Sequence, residues 1–141
     1  MQRTASAQWK GGLKDGKGTV STQSGVLSQT QYSFSTRFEN GVGTNPEELV
    51  AAAHAGCFSM ALSAQLGNAN MTAQSIDTKA ALTFEKTDAG FTVTAINLDV
   101  KARIPGGDKA AFDKAAEEAK KNCPISRLLN TKITMTTSLE S

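Results

Sequence analysis

One stretch of the chain, Thr44 to Leu66, carries a hydrophobic pattern unlike any other. Asn45 suits a helix N-cap, Pro46 the first helical position, and Glu47 with Glu48 the positive end of the dipole. From Leu49 to Leu66 no residue is fully charged, and apolar positions run round the whole helical circumference instead of along one stripe. That pattern predicts a helix buried on nearly all sides. Before it, Ala7 and Trp9 alternate with polar residues, Gly11, Gly12 and Asp15-Gly16-Lys17-Gly18 supply turns, and Tyr32, Phe34, Thr36 and Phe38 alternate with Ser33, Ser35 and Arg37. The alternation predicts a strand with an aromatic face and Arg37 on the other.

Beyond the central helix, Ile76, Thr78, Ala80, Leu82 and Phe84 keep strict alternation up to a turn at Asp88-Ala89-Gly90. The returning strand holds Phe91 and Val93 in one phase and Ile96, Leu98, Val100, Ala102 and Ile104 in the other, so a bulge is expected near Ala95. Asp108 caps a second helix with an apolar stripe of Phe112, Ala115, Ala116 and Ala119 and with Glu117 and Lys121 spaced to pair. Pro124 ends that helix at Cys123 and opens a short one to Leu129, and Ile133, Met135, Thr137 and Leu139 alternate as a last strand. No repeat, low-complexity tract or linker interrupts the pattern. The prediction is one α+β domain, residues 1–141, with antiparallel sheets around a buried central helix.

A membrane span is the rival reading of the central helix, since it nears the lower limit of about 17 residues for crossing a bilayer. Its Ala, Gly and Ser content, with Ser59, Ser63 and Gln65, fits a protein core better than lipid. A net charge of +2 with scattered Lys and Arg offers no footprint for nucleic acid. MQRTASAQWK lacks the apolar segment of a secretory signal, so the expected compartment is the cytoplasm, where both cysteines would be reduced at rest.

Those cysteines are the chemistry-bearing residues. A buried helical cysteine is ordinarily a small apolar filler, but Cys57 shares its helix with two glutamates and follows an arginine-bearing segment. Cys123 falls where an N-cap thiolate would meet free amides. The run GTNPEELVAAAHAGCFSMAL, the arginine in STRFE and the NCPIS near the end resemble the OsmC/Ohr family of thiol-dependent hydroperoxide reductases, and the opening SAQWKGGLKDGKGTVSTQSGVL resembles its OsmC branch. The resemblance covers essentially the whole chain. It implies an OsmC-like fold in an intertwined homodimer, a peroxidatic cysteine at Cys57, a resolving cysteine at Cys123, and a functional arginine and glutamate at Arg37 and Glu47. It also implies organic hydroperoxides as substrates and a dithiol reductant, dihydrolipoyl groups in particular, and asks for no cofactor.

Thiolate attack on a peroxide oxygen gives a sulfenic acid and an alcohol, and a second thiol then closes a disulfide that an external dithiol reopens. Lowering a thiol pKa from about 8.5 to about 6 gains roughly tenfold to thirtyfold in thiolate at neutral pH, and a Brønsted slope of about 0.4 to 0.5 removes roughly tenfold of nucleophilicity. The two nearly cancel. The larger service of Arg37 is therefore to hold the peroxide and stabilise the departing oxygen. Glu47 has the wrong sign to activate a thiolate and makes sense as a grip on Arg37, with Glu48 left to favour the helix start.

On one straight helix about 15 Å of rise separates Glu47 from Cys57, so a kink or a partner subunit must close the gap, and two helices antiparallel across a twofold axis are the expectation. His54, one turn from Cys57, reads as a packing or hydrogen-bonding residue more than a base. Two cysteines and one histidine without short spacings do not make a zinc site. Phe34, Phe38, Val42, Phe58 and Met60 are candidates to line an apolar substrate pocket. A Cys-His hydrolase and a non-catalytic stress-related binding or structural protein are the alternative functions.

Overall fold

The computed structural model describes residues 1–141, which form two compact units, Met1–Leu49 and Val50–Ser141, divided within the long helix α2, Pro46–Asn68. In the first unit β1 (Ala5–Lys10), β2 (Lys17–Thr22) and β3 (Thr30–Tyr32) form an antiparallel sheet in that order. Gly18 on β2 pairs with Trp9 on one side and Tyr32 on the other, and the two rings, with centroids 5.4 Å apart, fold over it. No apolar side chain before Phe58 belongs to the buried core.

The strand expected through Phe38 stops at Tyr32, and Phe34–Phe38 is a short helix, α1. Ser33 and Thr36 form a capping box: Ser33 Oγ accepts the Thr36 amide at 3.3 Å, and Thr36 Oγ1 accepts the Ser33 amide at 2.8 Å. This local bonding competes with a sheet ladder and wins. A spacing of four puts Phe34 and Phe38 on one face in either conformation, which is why the pattern misled. The helix, however, brings Arg37 next to that face, three residues from Phe34. Gly43, at φ +140°, lies against the Gln31 carbonyl and Thr36 at the entry to α2, a conformation and a space that exclude a side chain.

Helix α2 starts as expected, with Asn45 Oδ1 accepting the Glu48 amide at 2.8 Å. It is not buried all round. His54, Phe58, Leu62 and Leu66, at successive i, i+4 positions, are its buried residues, while Ala52, Ala53, Gly56, Met60, Ser63 and Ala64 are exposed. By length and composition alone α2 is apolar enough to cross a membrane, yet its buried stripe packs on protein. Within one chain only one side of it finds cover, so the other apolar positions face outward.

The second unit holds the hydrophobic core. The hairpin of β4 (Ser75–Thr87) and β5 (Gly90–Arg103) has its bulge at Thr94, between the pairs Thr83–Ala95 and Phe84–Val93, as the phase slip predicted. From β5 the chain crosses through α3 (Lys109–Asn122) and α4 (Pro124–Leu128) to β6 (Lys132–Glu140), which pairs with β5 in parallel. The fold is α+β, but this sheet, ordered β4-β5-β6, is mixed where antiparallel pairing was expected. A helical crossover returns a strand in the same direction. Phe58, Leu62 and Leu66 meet Ile96, Leu98 and Val100 of β5 and Phe112, Ala116 and Ala119 of α3, all fully or almost fully buried. Each large side chain there contributes about 1.5–3 kcal/mol by leaving water. Asp108 caps α3 through the Ala111 amide, 3.0 Å away, and Glu117 pairs with Lys120 at 3.6 Å, not with Lys121.

Candidate active site

Cys123 stands at the break between α3 and α4. Pro124 disfavours helical geometry in the residue before it, so Cys123 turns extended (φ −55°, ψ 131°), ending α3 by its own amide to Ala119 and capping α4 by its side chain. Its Sγ accepts the Ser126 amide at 3.5 Å and lies 3.1 Å from Cys57 Sγ. Both are free thiols. At 3.1 Å the sulfurs are already in contact, about 1 Å from the length of a disulfide bond.

The environments of the two sulfurs differ. Cys123 is fully buried and Cys57 partly exposed, so a substrate from solvent meets Cys57 first. Burial pushes the Cys57 thiol up, and Cys123 beside it adds to the rise. Burial also acts to raise Cys123, but its hydrogen bonding with Cys57, with the Ser126 amide and side chain and with the Ile125 amide outweighs it and holds Cys123 below the ordinary thiol range. Two sulfurs this close share their protons as a unit, and the anion of the pair is best housed at Cys123.

Arg37 and Glu47 form the second constellation. Nε and Nη2 of Arg37 donate to the same oxygen, Glu47 Oε1, at 2.9 and 2.7 Å, and Glu47 Oε2 is buried without a hydrogen-bond partner. The guanidinium also lies 5.4 Å from the Phe38 ring centre. Glu47 therefore grips Arg37, while Glu48 accepts from Thr44 and serves the helix start. Trp9, Leu13, Tyr32, Phe34 and Phe38 wall a cavity of about 280 Å³ that Arg37 also lines.

Of the five expected pocket residues, Phe34 and Phe38 line this cavity. Phe58 is fully buried in the core, Met60 is 78% exposed, and Val42 borders a different hollow, with Lys14 and Tyr32. Tyr32 belongs to the same aromatic run as Phe34 and Phe38, whereas Trp9 and Leu13 reach the cavity from more than twenty residues before Arg37, where no short-range pattern links them to it. Ser126 went unnoticed, although its place three residues after an N-cap is a readable signal. His54 is buried, with Nε2 2.7 Å from Ser126 Oγ.

Comparison with known proteins gives these residues a context. The profile of the OsmC-like protein family matches residues 38–138. The chain is 51% identical over 141 residues to the Escherichia coli (strain K12) protein named peroxiredoxin OsmC, covering 100% of this chain and 99% of that one. It is 31% identical over 102 residues to the organic hydroperoxide resistance protein of Xanthomonas axonopodis pv. citri, covering 70% of this chain and 68% of the relative. Among solved structures, an OsmC-like protein from Mycoplasma pneumoniae superimposes with a TM-score of 0.79 at 16% identity, over 100% of this chain and 99% of that one, a likeness of fold. The chain belongs to the OsmC-like protein family.

Proposed function

We propose that the protein is a thiol-dependent peroxidase that reduces organic hydroperoxides to alcohols through Cys57 and Cys123. The observation that carries this reading is the 3.1 Å contact between an accessible sulfur and a buried one favoured as thiolate. The names of the E. coli and Xanthomonas relatives support the same activity.

Cys57 Sγ, its proton passed to the neighbouring Cys123, attacks the outer oxygen of ROOH. The O–O bond breaks, the sulfur is oxidised to sulfenic acid, and RO⁻ takes from Cys123 the proton that Cys57 had passed to it, leaving as alcohol and returning Cys123 to thiolate. Cys123 thiolate then attacks the sulfenic sulfur, forming the disulfide and expelling hydroxide, which takes a proton from solvent to leave as water. A dithiol such as a dihydrolipoyl group would attack the disulfide and restore both thiols, becoming a disulfide itself. Arg37, held by Glu47 beside an aromatic cavity, is suited to binding a peroxide with an apolar tail and stabilising the departing oxygen.

The working form in this reading is a homodimer in a reducing compartment such as the cytoplasm. Residues 1–49 bury no large apolar side chain and α2 exposes an uncharged face, both of which a second copy would cover. With about 15 Å of helix between Glu47 and Cys57, we take Arg37 and Glu47 at each thiol pair to come from the partner subunit. A Cys-His hydrolase is disfavoured, because His54 Nε2 is committed to Ser126.

Thiol counting tests the cycle. One equivalent of cumene hydroperoxide should remove two thiols and create an intramolecular disulfide. In Cys123→Ser the same treatment should leave a dimedone-trappable sulfenic acid at Cys57, and an unmodified Cys57 would overturn the assignment.

A further inference from the structure

The cycle above leaves one buried group unused. His54 is the chain's sole histidine and is 0% exposed; Nε2 lies 2.7 Å from Ser126 Oγ, and Nδ1 has no hydrogen-bond partner. Ser126, also buried, donates its amide to Cys123 Sγ at 3.5 Å, and its side chain helps to hold that thiol below the ordinary range. We propose that His54 is a positioning residue for Cys123: it donates from Nε2 to Ser126 Oγ and thereby directs the single hydroxyl hydrogen of Ser126 at the Cys123 sulfur.

The direction of the chain follows from Nδ1. A serine hydroxyl has one hydrogen. If His54 Nε2 accepted it, Nδ1 would carry the ring's proton as a buried donor with nothing to receive it, whereas a bare buried acceptor costs less. The ring therefore protonates Nε2, and the Ser126 hydrogen is free for sulfur. Burial disfavours a charged His54, so the ring stays a neutral donor through the neutral range. The other groups at Cys123 are the Cys57 thiol from α2 and the amides of Ile125 and Ser126 from α4. Among the charges of α3 and α4 nearest in sequence, Lys120 pairs with Glu117, and Lys121 and Arg127 are exposed.

The purpose of this arrangement rests on the two-cysteine cycle, since a resolving thiol must be ionised to attack and leaves faster on reduction when its pKa is low. The test does not. In a Cys57→Ser background, which keeps a hydroxyl donor opposite the sulfur, Cys123 is the only thiol, and thiolate absorbance at 240 nm reads its titration without any peroxide. His54→Leu should raise the Cys123 pKa by about one unit, a tenfold loss of thiolate below the midpoint. Ser126→Ala should match it, the double variant should add nothing to Ser126→Ala, and His54→Gln, which can present an N–H to the same oxygen, should restore the low value.

An unchanged titration in a folded His54→Leu, or additive effects of the two substitutions, overturns the proposal. If His54→Leu loses its circular dichroism, His54→Gln and Ser126→Ala decide, and a Ser126→Ala titration equal to the parent's overturns it. Failure of the peroxidase reading shows separately, as two wild-type thiols surviving cumene hydroperoxide while these titrations shift as stated.

Discussion

Arg37 directs two N–H groups at one oxygen of Glu47, a use of the guanidinium fork that a lysine ammonium does not reproduce. Arg37→Lys keeps the charge and loses the orientation, so kcat/KM for cumene hydroperoxide should fall more than about tenfold in steady-state assays. Wild-type activity in that variant would mean that charge alone suffices. His54 makes a separate prediction about stability. Its folded pKa lies below the ordinary histidine value because burial penalises the cation. Below about pH 6.5 the unfolded chain binds a proton that the folded chain does not, so stability is full above that pH and is lost as pH falls through it. As the only histidine it can be assigned cleanly. The urea midpoint should drop between pH 7.5 and 5.5 in the wild type, and His54→Gln should flatten that drop.

Gly18 shows how an element of the first unit builds the Arg37 cavity. A Cβ there would come within 2.5 Å of the Tyr32 ring and 2.6 Å of the Trp9 ring, and both rings wall the cavity. Gly18→Val should therefore cost about 1–3 kcal/mol, read from urea unfolding, and shift the emission of Trp9, the only tryptophan. An unchanged spectrum and midpoint would show that the rings do not rest on Gly18. Elements with long, single-period patterns were legible in advance: the β4–β5 hairpin with its bulge, α3 with its cap and stripe, and β6. Short elements were not. Residues 34–38 satisfy both a strand and a helix period, and the capping box of Ser33 and Thr36 decides for the helix. That decision matters to function, because it moves Arg37 from the face opposite the phenylalanines to their side.

At the scale of the whole molecule, the exposed face of α2 leads to a test of assembly. Sedimentation should give twice the protomer mass of 14.8 kDa, and Met60→Asp, a charge on that face, should yield monomers with greatly reduced peroxidase activity. A fully active monomer would refute the shared site. The α+β class, most element boundaries and the cap that creates the Cys123 environment were readable from the chain alone, because periodicity, capping and proline geometry act over a few neighbouring residues, whereas Cys57, Cys123, Arg37 and Glu47 were singled out as a set by the family resemblance. Packing in three dimensions brings Cys57 against Cys123, lays β6 parallel to β5, buries one stripe of α2 and carries His54 to Ser126. Those facts join residues distant in the chain, and their pairing is set by how faces pack, which no local pattern encodes.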